Sequence, residues 1–502
     1  MTRVMSRLFS DLFVFEIANN HQGSLEHGLQ IVRAMGALAR AHAINAGLKC
    51  QYRDLDSFIH PQYRDRTDVA HVQRFLETRL SDSDFRSLVG AVRDEGMVSV
   101  CTPFDERSVE QAVAHDVQIL KVASCSADDW PLLEVVAAAN KPVIMSTGGL
   151  GLRGIDSLAT FAANRGLDYA LLHCVAAYPS PRSLLNMNFL TRMIRRYPGV
   201  PVGYSGHEDP GDVDVVKVAV SKGASILERH VGIPISTQPL NRYSLTPEQA
   251  SAWVQAALVA RTIGGSGETR DPGAEELAAL RSLKRGVYAA RPIARDMKIT
   301  PRDVMLAMPC VAGQTTSGEF SHYRARFVAS REYGRFDPIF ETGEPDLISF
   351  TRDIIHEAKG MVNEAGIAVG RDVEVELSHH YGPARFRETG AILISVINRE
   401  YCKKLVLVLP GQQHPAHFHK VKEETFLLLW GDLEVALGDS RVGLAPGDRL
   451  LVPPGVTHGF RSVRGAIFEE VSTKSVRSDS YYLDEQIRKL DPMERKTVLD
   501  GW

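Results

Sequence analysis

The stretch LFVFEIANNHQGSLEHGLQIVRAMGALARAHAINAGLKCQ, residues 12–51, decides the fold. It opens on an apolar run, LFVFEIA (12–18), and passes through a polar turn. It continues as an amphipathic helix over LEHGLQIVRAMGALARAHA (25–43) and returns as a second apolar run, AGLKCQ (46–51). A strand, a helix and a strand in this order form the repeating unit of a parallel sheet. Similar runs follow: MVSVCTP (97–103), ILKVAS (119–124), PVIMST (142–147), YALLHC (169–174), PVGYSG (201–206) and SILERH (225–230). Helical stretches such as SVEQAVAHDV (108–117) lie between them. Eight units over roughly 240 residues predict an α/β fold of the closed (β/α)₈ TIM-barrel type.

The chain is longer than one such barrel. At roughly 100–200 residues per domain, 502 residues make two to four domains. The 44% apolar and 24% charged content excludes global disorder. Lysine and arginine total 58 against 61 acidic residues, a formal net charge of −3, so no electrostatic footprint for nucleic acid or anionic membrane is expected. No apolar run approaches the roughly 18–20 residues of a membrane span. Asp11 and Glu16 interrupt the first apolar patch, which argues against a signal peptide. The six cysteines are scattered and form no CxxC, as expected of reduced thiols in a cytoplasmic protein.

Five segments follow from these textures. Residues 1–280 form the barrel. Residues 281–340 open KRGVYAARPIARDMKITPRDVMLAMP (284–309) and form a small second domain. Residues 341–372 read as a linker with a helix, LISFTRDIIHEAKGMVNEAG (347–366). In 373–475, short alternating runs such as ILISVI, KLVLVLP, FLLLW and LEVAL are separated by Gly, Pro and Asp, which predicts an all-β barrel. The charged tail, 476–502, reads as helical.

A TIM barrel places its chemistry at the C-terminal ends of its strands. Here the eight runs end near Glu16, Asn20 and His21; Lys49 and Gln51; Thr102; Lys121 and Ser124; Ser146 and Thr147; His173 and then Tyr178; Ser205 and His207; and Glu228 and His230. Polar groups at the ends of apolar strands are costly to bury alone, and eight coincident cases point to one shared site. Lys49 and Lys121 with the hydroxyls of Thr102, Ser124, Ser146 and Ser205 make an anion cradle for phosphate or carboxylate. His207 and His230 beside Glu228 suit a divalent ion such as Mn²⁺, with water and substrate completing the coordination. Glu16 suits a base or a water-orienting group.

These runs, in this order, resemble the sialic acid synthases, the phosphoenolpyruvate-condensing N-acetylneuraminate synthase family. The matching stretches are EIANNHQGS (16–24), LKCQ (48–51), LKVAS (120–124), KPVIMSTGG (141–149), LLHCVAAYPSP (171–181), VGYSGH (202–207) and LERH (227–230), within about residues 11 to 310. The resemblance implies condensation of phosphoenolpyruvate with the aldehyde of an open-chain sugar, giving a 3-deoxy-2-ulosonic acid and phosphate. It implies that Lys49, Lys121, Thr102, Ser124, Ser146 and Ser205 hold phosphoenolpyruvate. His207 and His230 would bind the metal, Mn²⁺ or Mg²⁺, and Glu16 would lie near the reacting carbons. Gln51, Tyr178, Glu228 and Asn241 would take other site positions. Two departures stand out. Ala176 replaces a polar residue two places before the site tyrosine. Gln238-Pro239-Leu240-Asn241 replaces a Gly-Pro-Asp-His pattern, which removes a carboxylate on the sugar side and argues against N-acetylmannosamine as acceptor. Residues from 284 to about 340 resemble the family's antifreeze-like (SAF-type) domain, which lends an arginine to a partner's site and implies a homodimer. That arginine has no place in VAGQTTSGEFSHY (311–323).

A second motif lies downstream. GQQHPAHFHKVKEETFLLLWG (411–431) and GDRLLVPPGVTH (447–458) resemble the two boxes of the cupin signature, with Ser462 in place of its closing Asn. His417 and His419, two apart on a strand, share a face, and Glu424 and His458 arrive from elsewhere. Three imidazoles and a carboxylate suit a divalent transition metal: Mn, Fe, Co, Ni or Zn. A metal-free cupin would use them as a polar core. The surrounding residues 376–415 are similar to cupins of the D-lyxose isomerase type, in which Lys422 would be either a sugar contact or a solvated strand lysine. The reading is thus a synthase with a cupin that isomerises a ketose to the acceptor aldose. The alternatives are a sugar-binding or regulatory cupin, or a barrel working as lyase or aldolase. Paired lysines and hydroxyls favour phosphoenolpyruvate, since an aldolase of pyruvate needs a Schiff-base lysine.

Overall fold

The computed structural model describes residues 7–64, 66, 68–235, 239–267, 270, 272–321, 325–344, 347–476, 478–491, 493–500 and 502. Gln238 and the end of VAGQTTSGEFSHY therefore lie outside the described residues. The chain forms two compact units, 3–270 and 271–502.

In the first unit eight parallel strands close into a barrel in sequence order: β1 (Leu12–Glu16), β2 (Ala46–Tyr52), β3 (Val98–Pro103), β4 (Ile119–Val122), β5 (Val143–Ser146), β6 (Tyr169–Cys174), β7 (Val202–Gly206) and β8 (Ile226–His230). Each lies within one of the eight apolar runs, except that β2 continues one residue further, to Tyr52. The first helix, Leu25–His42, starts where Ser24 accepts a hydrogen bond from the His27 N–H and stops at Ala43 in the left-handed region. Strand side chains alternate faces. Phe13, Phe15 and Leu227 pack outward into the helix-covered core. Leu12, Val14, Val100, Ile119, Ile144, Ala170, Leu172 and Ile226 fill the inside of the barrel. One further step of two along the same inner rows reaches Glu16, Thr102, Lys121, Ser146 and Glu228. The interior is apolar at the bottom and polar at the top, and that switch builds the site. It is also tightly packed: a Cβ at Gly203 would lie 2.3 Å from the Ile226 carbonyl oxygen and 2.6 Å from Leu172 Cδ2.

The second unit begins with small antiparallel pairs, β9 (Gly286–Ala289) with β11 (Val304–Ala307) and β10 (Lys298–Ile299) with β12 (Phe327–Val328). Their core holds Val287, Ile293, Ile299, Phe327, Tyr333 and Ile339.

Two antiparallel sheets follow. The strands are β13 (Glu374–Ser378), β14 (Ala391–Asn398), β15 (Tyr401–Val408), β16 (Gln413–Phe418), β17 (Glu424–Gly431), β18 (Leu433–Leu437), β19 (Ser440–Leu444), β20 (Arg449–Val452), β21 (His458–Arg461), β22 (Ala466–Thr473), β23 (Tyr481–Tyr482) and β24 (Lys496–Asp500). One sheet runs β20-β17-β22-β15-β14-β13-β24 and the other β19-β18-β21-β16-β23.

Two expectations are corrected here. Helix Leu347–Glu364 is no linker: Ile354, Ala358, Met361 and Val362 share a core with Val375, Leu377, Ile392 and Leu407 of the larger sheet. The tail is not a helical appendage. Among its described residues it contains one five-residue helix, Glu485–Lys489, while β23 pairs with β16 and β24 with β13. Its charges decorate strands that extend sheet edges, a placement no local periodicity shows.

Among the described residues no helix is long and apolar enough to cross a membrane. All six cysteines are unpaired.

Candidate functional site

Parallel register brings distant residues level at the barrel mouth. Glu16 is paired with Lys49 on one side and with His230 on the other. Gln51 is level with Thr102, and Ser205 with Glu228. Lys49 Nζ lies 2.5 Å from Glu16 Oε2 and 3.0 Å from Glu228 Oε1. Lys121 Nζ donates to Ser146 Oγ at 2.8 Å and lies 3.4 Å from Glu228 Oε1, which also accepts from Ser205 Oγ at 2.8 Å. All are buried. Two carboxylates thus compensate two ammonium groups inside the protein.

Burial alone would push Glu228 up, but Lys121 and Lys49 hold it well below the usual carboxylate range. Burial opposes charge on Lys49 too, yet Glu16 and Glu228 raise it. For Lys121 burial outweighs the support of Glu228 and lowers it. Thr102 Oγ1 is buried without a partner, and Ser124 Oγ accepts the Gly148 N–H at 3.1 Å.

His207 and His230 stand with ring centres 5.2 Å apart. Burial first, then the neighbouring His230, lowers His207 to about 3; burial and then Lys49 bring His230 to about 3. Both are neutral near pH 7, and each has a buried Nδ1 with no hydrogen-bond partner. Two neutral imidazoles with orphaned nitrogens fit a divalent ion whose remaining ligands come from water and substrate. Tyr178, 54% exposed, packs on His207 at 4.4 Å. Tyr243 stands 5.0 Å from His230 and 5.8 Å from His207. It belongs to no quoted motif. Asn241 Oδ1 accepts the Tyr243 N–H at 3.4 Å and so shapes the turn that carries this ring.

Not every residue at a strand end joins the mouth. His173 is one step out of the inward row. Its Nε2 meets the Leu185 carbonyl at 2.7 Å, and its ring packs on Phe189. Asn20 donates to the Val231 carbonyl at 2.8 Å and to Ser244 Oγ at 3.0 Å, a bracing role. Thr147 donates to the Leu172 carbonyl at 3.0 Å. His21 instead lines a cavity of about 540 Å³ beside the β1, β2 and β3 ends, with Asn19, Gln51, Arg53, Arg79 and Arg107.

In the cupin unit, β16 and β21 set His417 opposite His458. The ligand nitrogens of His417, His419 and His458 lie within 4.8 Å of one another. Each Nδ1 meets a backbone carbonyl: Pro415 at 3.1 Å, Asp479 at 2.5 Å and Val456 at 3.1 Å respectively. A carbonyl only accepts, so Nδ1 carries the proton and the Nε2 lone pair is free for a ligand. Glu424 Oε1 lies 3.4 Å from His419 Nε2, and its Oε2 lies 3.0 Å from His458 Nε2. Those last two atoms form no hydrogen bond despite their closeness. Two buried lone pairs facing one point fit a cation between them, so this donor set suits a divalent transition metal.

Lys422 is neither solvated nor free: it is buried, pairs with Glu424 and lies 3.0 Å from Glu470 Oε1. Glu470 and Glu424 raise its pKa against the effect of burial. Asp479 and Tyr482 of the tail were not legible as site residues. The Asp479 carboxylate accepts the N–H groups of Lys420, Val421 and Lys422 at 2.9, 3.1 and 3.0 Å. Tyr482 stacks on His417 at 5.2 Å.

A fold with polar chemistry at the barrel mouth and a His₃Glu set in a double-sheet domain defines a two-part protein, and the family matches fall on the same two parts. Residues 37–269 match the NeuB family and residues 404–468 the cupin domain. A crystal structure described as spore coat polysaccharide biosynthesis protein E of Chromobacterium violaceum is 42% identical, covering 66% of this chain and 99% of that chain, with a TM-score of 0.65. The N-acetylneuraminate-9-phosphate synthase of Drosophila melanogaster is 29% identical over 50% of this chain and 69% of its own length. The N,N'-diacetyllegionaminic acid synthase of Legionella pneumophila is 30% identical over 46% of this chain and 65% of its own. The chain belongs to the NeuB family and carries a cupin domain at its C-terminal side.

Proposed function

We propose that the barrel condenses phosphoenolpyruvate with an open-chain aldose to give a 3-deoxy-2-ulosonic acid and phosphate. The observation that carries this is the cluster of Lys49, Lys121, Ser146 and Ser205 around Glu228, beside His207 and His230. In this reading the enol carbon 3 attacks the aldehyde carbon, water adds at carbon 2, and the carbon–oxygen bond to phosphate breaks. Lys49 and Lys121 with the Ser146, Ser205, Thr102 and Ser124 hydroxyls hold the phosphate and carboxylate. Anion binding loosens the lysines from Glu16 and Glu228. This leaves Glu16, anchored by the Ala18 N–H at 2.8 Å, to orient the water and take its proton. Gln51, Tyr178 and Asn241 lie on the sugar side. His207 and His230 would hold Mn²⁺ or Mg²⁺, which when bound polarises the aldehyde as a Lewis acid. The test is an aldose panel with phosphoenolpyruvate and Mn²⁺, followed by phosphate release and product mass. Absence of product with every aldose, under conditions where the protein is folded, overturns the reading.

The cupin supports a second activity: isomerisation of a ketose to the aldose acceptor, as in D-lyxose isomerase-type cupins. The observation favouring it is the complete His417, His419, Glu424 and His458 set beside the buried Lys422–Glu470 pair. His417→Ala in the full chain is expected to abolish exchange of the C1 and C2 hydrogens of the ketose while condensation of a supplied aldose continues. No exchange in the wild type leaves the cupin as a sugar-binding or regulatory module. Residues 281–340 are read as the antifreeze-like domain of a cytoplasmic homodimer, a state that light scattering measures.

A further inference from the structure

The cavity beside the β1, β2 and β3 ends is lined by Arg53, Arg79 and Arg107 as well as Asp54 and Asp82. Its charges are not all alike. Arg79 pairs with Asp56 and Arg107 with Asp54, each at 3.2 Å. Asp82 is held by Gln111 at 2.9 Å and His115 at 3.0 Å. Arg53 has no carboxylate partner among the described residues. Its guanidinium is sandwiched between Phe104 at 3.7 Å and Phe75 at 4.1 Å. Nη2 donates to Gln51 Oε1 at 2.9 Å, Nε is buried without an acceptor, and Nη1 has no hydrogen bond within the protein among the described residues. Burial pulls its pKa down to about 10, still fully charged at neutral pH.

Two rings that cover both faces of a guanidinium leave only its edge for binding, and that edge favours a planar or tetrahedral oxyanion. A second donor lies in the same cavity. His21 Nδ1 accepts the Gly23 N–H at 3.2 Å, so the neutral ring carries its proton on Nε2. Gln51 connects this cavity to the mouth: it lines the cavity wall and is level with Thr102 in the barrel register.

We propose that Arg53, with His21, forms an oxyanion subsite for the acceptor, so that the sugar carries a phosphate or carboxylate on the part remote from its aldehyde. This deepens the synthase reading and rests on it. The subsite lies outside the Lys49–Lys121 cradle, so it selects the acceptor and leaves phosphoenolpyruvate to the lysines.

The test uses the full chain with Mn²⁺ and phosphoenolpyruvate. Three acceptor sets are compared by product mass: neutral aldoses, aldose phosphates and uronic acids. One anionic set is expected to exceed the neutral set by tenfold or more in kcat/KM, and which one names the anion. Arg53→Gln should raise the KM for that acceptor about ten- to hundredfold, the scale of a charged hydrogen bond, with kcat changing less. Arg53→Lys should recover part of the loss. Neutral aldoses used as well as anionic ones, or equal effects of Arg53→Gln on both, overturn the proposal while the synthase reading stands. If no acceptor yields product, the synthase reading falls, and calorimetric titration with an aldose phosphate decides the subsite alone. Binding at least tenfold weaker in Arg53→Gln supports it, and equal binding overturns it.

Discussion

The barrel mouth and the cupin cavity use the same residue types to opposite ends. At the mouth, Glu16 and Glu228 face Lys49 and Lys121, and the charges cancel within the protein. His207 and His230 stand beside them. In the cupin three imidazoles and Glu424 converge, with each Nδ1 tied to a backbone carbonyl. The first arrangement stores cations that an anion can recruit. The second stores lone pairs that a cation can recruit. The mouth offers charged groups to a ligand from outside, whereas the cupin draws its donors from its own chain.

The largest effect should come from breaking the charge balance at the mouth. Glu228→Gln leaves two buried ammonium groups against Glu16 alone, and is expected to cost about 3–5 kcal/mol in barrel stability. Glu424→Gln in the metal-free cupin should cost markedly less, because Glu470 still compensates Lys422. Thermal unfolding of the two variants measures the contrast, and equal losses would break it.

Acid tests the neighbouring cavity that His21 lines. Burial holds His21 at about 4. Its folded pKa lies below the unfolded value of about 6.5, so the unfolded chain binds the proton first. The neutral ring therefore contributes no penalty above about pH 6.5, and stability falls as pH drops from there towards 4, by about 3 kcal/mol in all. His21→Gln should flatten that slope in urea melts taken across this range.

Metal content distinguishes the two donor sets. His417→Ala should weaken cupin metal binding at least a hundredfold, read by equilibrium dialysis and elemental analysis. His230→Ala should leave that bound equivalent in place. Loss of the same ion in both variants would mean that the two donor sets do not act separately. Gly203→Ala should cost about 1–3 kcal/mol, since its Cβ would meet the Ile226 carbonyl oxygen. The smallest effect belongs to the exposed Arg196–Asp156 pair: Arg196→Ala should move the barrel melt by less than about 1 kcal/mol.

Much of the barrel was legible because two signals coincide. Inward residues recur at every second position, and most inner rows turn from apolar to polar at their ends, as Leu12-Val14-Glu16 and Ile226-Glu228-His230 do. The cupin was legible through its short alternating runs and the spacing of its ligand residues. What escaped depends on contacts that no local pattern encodes. His173 sits one residue off the inner row, so a polar strand end was mistaken for a site position. Tyr243 and Arg53 come from loops, where periodicity carries no information. Asp479 reaches His419 across sixty positions, and β24 finds β13 across about 120. A charged strand at a sheet edge resembles a charged helix until its partner is known.

The anchoring of His419 by Asp479, and of β13 by β24, has a consequence for biosynthesis. A nascent chain can complete the barrel while most of the cupin is still untranslated, since domains fold from the N-terminus onward. The cupin differs: the Asp479 carbonyl that orients His419 and the strand that pairs with β13 are translated long after the groups they hold. Formation of the cupin's donor set thus waits for residues 479–500, and a polypeptide stopped before them would display a finished barrel attached to a cupin without its His419 anchor.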